Sequence, residues 1–236
     1  MKAISLTNSK GTAAKSAMSS MRKTSLAAGI LYLLTFVSVP TLSLYAPVHN
    51  GTYFTGNGND TRVIIGGLLE IIVGITCIGT ALVLYPVLKR QNKRMALGLV
   101  AFRVLEAGTI FIGVAFLLTA VTMHQQGTGN LATYQTLVTL YNRIFLLGQS
   151  FIPAINDVLL GYMLYQSRLV PRKLSVIGMA GALPLVAGYL AVMFGLIDQR
   201  SPLAGLSALM VAVFELSLGI YLIVKGFRTT TASQEN

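Results

Sequence analysis

The stretch that decides the fold is VIIGGLLEIIVGITCIGTALVLYPVL, residues 63–88. It contains a single charged residue, Glu70, and the basic segment KRQNKR follows directly at 89–94. A helix needs about 20 apolar residues to cross the hydrocarbon core of a bilayer. The length of this run and the basic cluster after it therefore predict a membrane-spanning helix that ends at a membrane surface.

The composition extends this interpretation to the whole chain. Of 236 residues, 54% are hydrophobic and 11% are charged, and the mean hydropathy is +0.70. Soluble domains carry about 25% charged residues, so a soluble globule of this size is excluded. The chain has one cysteine, Cys77, and two histidines, His49 and His124. These exclude an intrachain disulfide and a cysteine zinc site, and we expect no metal and no cofactor.

Six apolar runs predict an all-α integral membrane bundle of six transmembrane helices. The segments at 1–23 and 229–236 are interpreted as a basic cytoplasmic tail and a polar tail, on either side of a membrane domain at 24–228. The predicted spans are about 25–47, 63–88, 95–123, 149–166, 174–197 and 203–224.

The longest apolar stretch, 131–167, exceeds what one straight span needs. As a single helix it would be about 55 Å long, against a hydrocarbon core of about 30 Å. Its first half places Tyr134 and Tyr141 at helical spacing, which predicts an amphipathic helix at the outer interface. Gly148 and Pro153 predict the break that leads into the fourth span.

The basic residues indicate the orientation of the bundle. Of the 18 lysines and arginines, 14 lie in the N-terminal tail, in the loops after the second and fourth spans, and at the C-terminal end. The positive-inside rule places these segments, and hence both termini, in the cytoplasm. The net charge of +11 then reflects topology and contact with anionic lipid headgroups at the cytoplasmic face. No nucleic-acid partner is expected.

Polar residues inside the apolar runs are the most distinctive chemical feature. A charge near the bilayer centre costs about 2.5 to 3.5 kcal/mol, so such groups must pair, meet water or be protonated. Arg103 and Glu106 lie three residues apart and share one helix face. The candidate binding residues of this polar interior are Glu70, Arg103, Glu106, Asn156, Asp157 and Glu215.

Two interpretations of these residues stay open. They form hydrogen bonds that only hold helices together, each worth about 0.6 to 2 kcal/mol, or they line a cavity that binds a ligand or relays protons. Neither histidine lies in a predicted span, which excludes intramembrane Ser–His and HExxH chemistry. We therefore assign no catalytic residue, and an enzyme is the less favoured class.

Glycines recur at helical spacing in the fifth predicted span, where Gly181, Gly188 and Gly195 are seven residues apart. Small residues let helices approach closely, so we expect packing faces at these positions. A hinge beside Pro184, of the kind found in transporters, is the alternative.

Two long stretches resemble a known family. They are LLEIIVGITCIGTALVLYPVLKRQNKRMALGLVAFRVLEAG at 68–108 and NDVLLGYMLYQSRLVPRKLSVIGMAGALPLVAGYLAVMFG at 156–195. Together with RKTSLAAGILYLLTF at 22–36 they resemble the bacterial integral membrane domain-of-unknown-function family 4386. The resemblance covers the chain from Arg22 to about Arg228.

This resemblance implies a six-span protein of the bacterial plasma or inner membrane. It implies no activity, because the family is defined by having none assigned, and no catalytic residue can be carried over. Glu70, Arg103, Glu106 and Asn156 match recurrent positions of the family, as does the loop SRLVPR at 167–172.

Three function classes follow. The leading hypothesis is a protein that binds or transports a small solute or lipid through the polar interior. The second is a structural, sensor or accessory membrane protein whose buried charges only pair helices. The third is a lipid-modifying enzyme that uses a carboxylate pair such as Glu70 and Glu106.

Overall fold

The computed structural model describes residues 8–49, 52–56 and 58–228, with only the backbone described for residues 8–19, 52 and 55. In these ranges the ordered elements are all helical, and there is no strand. The predicted polar tail at 229–236 and the first seven residues of the predicted basic tail lie outside the described residues. The helices are α1 (Asn8–Leu34), α2 (Thr41–Leu44), α3 (Ala46–His49), α4 (Thr52–Thr55), α5 (Asp60–Leu88), α6 (Lys93–Gln126), α7 (Leu131–Leu146), α8 (Ile152–Ser167), α9 (Arg172–Met193) and α10 (Pro202–Val224).

Six helical segments of the described chain are long and apolar enough to cross a membrane. This finding confirms the predicted all-α, six-span architecture. The segments are Ser20–Leu44, Asp60–Leu88, Lys93–Gln126, Leu131–Ser167, Arg172–Met193 and Pro202–Val224.

The first span differs in detail from the single helix expected at about 25–47. The backbone is helical from Asn8, so the described part of the basic segment at 1–23 continues directly into the span. The regular helix ends at Leu34, and a 3₁₀ turn at Thr35–Ser38 follows it. Pro40, which has no backbone N–H, then separates this turn from α2.

Hydroxyl side chains explain why the helix tightens there. Thr35 Oγ1 donates to the carbonyl of Tyr32 at 2.7 Å, and Thr41 Oγ1 donates to the carbonyl of Ser38 at 2.6 Å. Such bonds to a carbonyl three residues earlier compete with the α-helical pattern of the backbone. The apolar run looks continuous in the sequence, but its second half is a set of short turns.

The fourth span begins with the amphipathic helix that the sequence predicts. Tyr134, Val138 and Tyr141 form the buried face of α7, which lies against α6. A π-helical segment at Leu147–Phe151 joins α7 to α8. Pro153, at the start of α8, cannot donate a backbone hydrogen bond to the turn before it, and the predicted break therefore takes the form of a π turn.

The six spans form a closed ring in which each packs on the next. α5 packs between α1 and α6, α8 packs between α6 and α9, and α10 packs between α9 and α1. Leu42, Leu183 and Leu196 on the outside each expose 76% of their surface. A soluble protein does not expose apolar surface on this scale, so the outer wall of the ring is suited to lipid.

The glycines expected to form packing faces do so at two of three positions. A Cβ on Gly181 would lie 3.1 Å from Met210 Cβ, and Gly188 packs against the side chain of Ser207. Gly195 lies beyond the end of α9 with φ +71°, and a Cβ built on it would meet nothing within 4 Å. Its place in the seven-residue repeat is incidental, because it serves the turn that ends the helix.

The basic clusters that flank the spans lie together at one end of the ring. The backbone amide of Arg228 donates to the carbonyl of Leu169 at 2.8 Å, and Arg22 donates to a carbonyl in the last turn of α10 at 3.0 Å. Leu88, just before the basic segment at 89–94, and Val170, next to Leu169, belong to one apolar cluster. We call this the basic end of the bundle.

Candidate functional site

An arginine on α6 lies in the middle of the helix ring. Arg103 is 2% exposed, and its guanidinium donates to Glu106 Oε2 at 3.1 Å and to Glu215 Oε1 at 2.7 Å. Glu106 lies one turn further along α6, as the spacing predicted. Glu215 lies on α10, which is not adjacent to α6 in the ring, so this ion pair crosses the interior of the bundle.

Three further helices contribute to the surroundings of these charges. Asn156 Nδ2, on α8, donates to Glu106 Oε2 at 2.8 Å. Cys77 Sγ, on α5, lies 3.6 Å from Arg103 Nη1. The ring of Tyr32, on α1, lies 5.7 Å from the guanidinium carbon. Five of the six spans therefore meet around one side chain.

Asp157 is the least satisfied member of this group. It is fully buried, and neither of its carboxylate oxygens has a hydrogen-bond partner among the described residues. Its electrostatic neighbours are Glu215, Arg103 and Glu106. The side-chain oxygen of Asn156 also lacks a partner there. We use the name inner polar cluster for Arg103, Glu106, Asn156, Asp157 and Glu215.

The inner polar cluster has an excess of acid groups. It contains one guanidinium and the carboxyl groups of Glu106, Asp157 and Glu215. An unpaired buried charge is costly, and a single arginine cannot balance three carboxylates. Charge balance in the cluster therefore requires additional positive charge, supplied either by protons on the carboxyl groups or by a bound cationic group.

The structure does not bring Glu70 into this cluster. Cys77 is the residue of α5 that meets Arg103, and Glu70 lies seven residues earlier, about 10 Å away along the same helix face. Glu70 Oε1 instead accepts a hydrogen bond from Tyr141 Oη at 2.7 Å. Glu70 and Glu106 have different partners, so the contacts among the described residues do not form the pair that the enzyme hypothesis named.

Sequence reasoning missed the partners of Glu70. The helical spacing predicts Tyr141 on an apolar face of α7, whereas its hydroxyl donates to the buried carboxylate of Glu70. Tyr45 and Gln149 also lie beside Glu70. The available signal was the choice of tyrosine instead of phenylalanine on a buried face, since a buried phenol needs a polar partner. We use the name outer polar group for Glu70, Tyr141, Tyr45 and Gln149, because Glu70 lies in the half of α5 that is remote from the basic end of the bundle.

The loop after the first span covers the outer polar group. The ring of His49 lies 5.9 Å from that of Tyr141. Burial, with a smaller contribution from the charge of Arg200, lowers the pKa of His49 to about 4, so this imidazole is neutral at neutral pH. Burial and the adjacent Glu70 carboxyl raise the pKa of Tyr45. Both loop side chains are therefore uncharged where they meet the span.

An open cleft of about 430 Å³ lies at this end of the bundle, between α7 and the α9–α10 connection. Arg143 and Arg200 line it, and Gln199 Nε2 donates to the carbonyl of Asn142 at 3.0 Å. Asn142 directly follows Tyr141 in α7. The cleft therefore brings polar surface close to the outer polar group.

Metal chemistry has no support in the described part of the chain. No group of three or more histidine, cysteine, aspartate or glutamate side chains within it is arranged to hold a metal ion. The acid groups of the inner polar cluster are instead organised around a guanidinium.

The ring of six apolar spans and its charged interior define a multi-pass integral membrane protein. The family described as Domain of unknown function (DUF4386) matches residues 27–226, and the chain belongs to that family. No curated protein and no solved structure matches the chain.

Proposed function

We propose that the protein binds a small polar solute at the inner polar cluster and carries it across the membrane. The observation that carries this proposal is Asp157, a fully buried carboxyl group with two unpartnered oxygens beside the Arg103–Glu106–Glu215 ion pairs. Polar and ionisable groups inside a membrane domain mark substrate and ion pathways. The unused acceptors on Asp157 and Asn156 are available to a ligand.

The charge of the cluster favours a solute that carries a positive group. Three carboxyl groups against one guanidinium leave acceptors and negative charge, and a protonated amine supplies both donors and the missing positive charge. Glu215 offers a route of approach, because its side chain is 15% exposed whereas that of Arg103 is 2% exposed. Glu215 is therefore the most accessible member of the cluster.

A thermal-shift screen of the purified protein against amines, other small metabolites and lipids tests this proposal. A ligand present at 100 times its dissociation constant stabilises the protein by about 2.7 kcal/mol. We expect a cationic compound to raise the melting temperature of the wild type and to lose this effect in Asp157→Asn. Flux of the same compound into liposomes then tests transport.

Asp198→Asn is the matched control, because it makes the same chemical change at an exposed position of the α9–α10 connection. This variant should keep the ligand effect. Ligand shifts of equal size in wild type and in a folded Asp157→Asn protein would contradict binding at the cluster.

A structural or accessory role is the second candidate, favoured by the hydrogen bonds that Glu106 accepts from two helices. Glu106 accepts hydrogen bonds from Arg103 on its own helix and from Asn156 on α8. The bond from Asn156 joins α8 to α6, which is what a structural role requires. This role predicts early melting of Glu106→Gln without loss of any ligand effect. The thermal-shift screen therefore separates the two candidates.

For the orientation, we propose that the basic end faces the cytoplasm, contacts anionic headgroups and belongs to a protein of the bacterial cytoplasmic membrane. The support is the collection of the basic loops at one end of the ring. A cysteine placed at Gln126 should react with an impermeant maleimide in intact cells, and one at Gln91 should not. Cys77 is buried and gives little background. Labelling of a cysteine at Gln91 in intact cells would contradict this orientation and indicate the opposite one.

A further inference from the structure

We infer that Glu70 is a proton-binding site, separate from the inner polar cluster, whose proton exchanges with water through the outer end of the bundle. The binding of this proton does not depend on the proposed function. Only a coupling between the proton and the movement of a solute would rest on it. The ligand of this site is a single proton, bound to a carboxyl group in the outer half of α5.

The first argument is the lack of a positive partner. Glu70 is 1% exposed. The ion pairs of the described residues join Arg103 to Glu106 and Glu215, and His124 to Asp60, so Glu70 takes part in none of them. A buried carboxylate without a counter-charge is strongly disfavoured, and a bound proton removes that charge.

The second argument is the set of groups that face the carboxyl from the neighbouring elements. Tyr141 on α7 donates to Oε1, while Oε2 has no hydrogen-bond partner among the described residues. Tyr45, after α2, and Gln149, in the π-helical segment, are the other polar neighbours. Each of these groups is neutral, and the free Oε2 is the oxygen that can hold the proton.

The third argument is that polar groups lie on both sides of Glu70 along the length of the bundle. Toward the outside, the ring of His49 lies against Tyr141, and the open cleft begins at Asn142. Toward the inside, Tyr141, Gln149 and Thr109 lie around a gap that is too narrow to hold a water molecule. Thr109 is one turn from Glu106 on α6, and its hydroxyl donates to the carbonyl of Glu106 at 2.6 Å.

The π-helical segment gives this arrangement a means of opening. π turns inside helices are rare and occur frequently at functional sites. Here the turn carries Gln149 to Glu70 and is followed by Pro153, which leaves one backbone hydrogen bond of the span unmade. A shift of this segment, which also packs against α6 and α9, would move Gln149 relative to Glu70.

Infrared spectroscopy of the protein in lipid, with the proton as the only probe, tests the inference. A protonated carboxylic acid has a carbonyl stretching band separate from that of a carboxylate. We expect a band in the wild type that is absent in Glu70→Gln, that shifts in D₂O, and that diminishes as the medium is made alkaline. In Tyr141→Phe the band should remain and move to higher frequency, because its carbonyl oxygen loses a hydrogen bond.

Each outcome has a definite meaning. An identical carboxylic acid spectrum in wild type and Glu70→Gln would overturn the inference, as would a Glu70 band that neither exchanges in D₂O nor changes with pH. Tyr141→Phe keeps the carboxyl group and provides the answer if Glu70→Gln fails to fold. Asp157→Asn should leave this band in place, so failure of the proposed solute site and failure of the proton site give different results.

Discussion

Replacing Arg103 with methionine is expected to lower the free energy of unfolding by about 3 to 5 kcal/mol, the range found when one partner of a buried ion pair is removed. The guanidinium lies between Glu106 at 3.1 Å and Glu215 at 2.7 Å. Methionine fills much of the space but leaves both carboxylates without a positive partner. Chemical denaturation of the detergent-solubilised protein, followed by circular dichroism, measures the change.

Two comparisons show whether charge causes this loss. The triple variant Arg103→Met, Glu106→Gln, Glu215→Gln removes the charges together and should recover much of the stability, since a buried ion pair can often be replaced by neutral groups of similar size. Glu215→Gln alone should cost less than Arg103→Met, because it removes one carboxylate from a cluster with an excess of them. A loss below about 1 kcal/mol for Arg103→Met would show that water or lipid headgroups reach the carboxylates.

Replacing Gly29 with valine is expected to separate the first and last spans, at a cost of about 1 to 3 kcal/mol or more. A Cβ at Gly29 would lie 2.7 Å from the carbonyl oxygen of Gly219 on α10. A backbone oxygen cannot rotate out of the way, so the helices must move apart. Glu215 lies one turn before Gly219, and Tyr32 lies one turn after Gly29, so the change also disturbs the contacts of Arg103.

Gly205→Ala is the matched control for the glycine substitution. Gly205 lies on α10, the helix that Gly29 of α1 contacts, and a Cβ built there meets nothing within 4 Å. Alanine is favoured over glycine in a helix by about 0.5 to 1 kcal/mol, so this variant should be equally stable or slightly more stable. Equal melting temperatures for Gly29→Val and wild type would show that α1 and α10 do not depend on this close approach.

The architecture was predictable because membrane spans follow from length and composition. The run at 63–88 and its five counterparts are each long enough to cross a bilayer, and the structure has six such segments. The division of the first span was not predictable from hydropathy. It depends on Pro40 and on hydroxyl groups that bond to their own backbone, and residues of this kind hardly change the mean hydropathy of a run.

The candidate site was predictable only where the contact is local. Arg103 and Glu106 share a helix face at a spacing of three residues, so their pairing could be read from the sequence. The pairing of Arg103 with Glu215 joins residues 112 positions apart and depends on how the ring closes. Glu70 lies in a span like the other acids, so the sequence predicts it in the same polar interior, but seven residues of helix separate it from Cys77, the residue of α5 that contacts Arg103.

The closing of the ring by α1 and α10 has a consequence for biosynthesis. Glu215 is carried by α10, which leaves the ribosome well after α6, the helix that carries Arg103. Until α10 arrives, Glu106 is the carboxylate that pairs with Arg103, and Asn156 joins them earlier as a donor to Glu106. The set of bonds that holds Arg103 is therefore complete only after α10 has packed between α9 and α1.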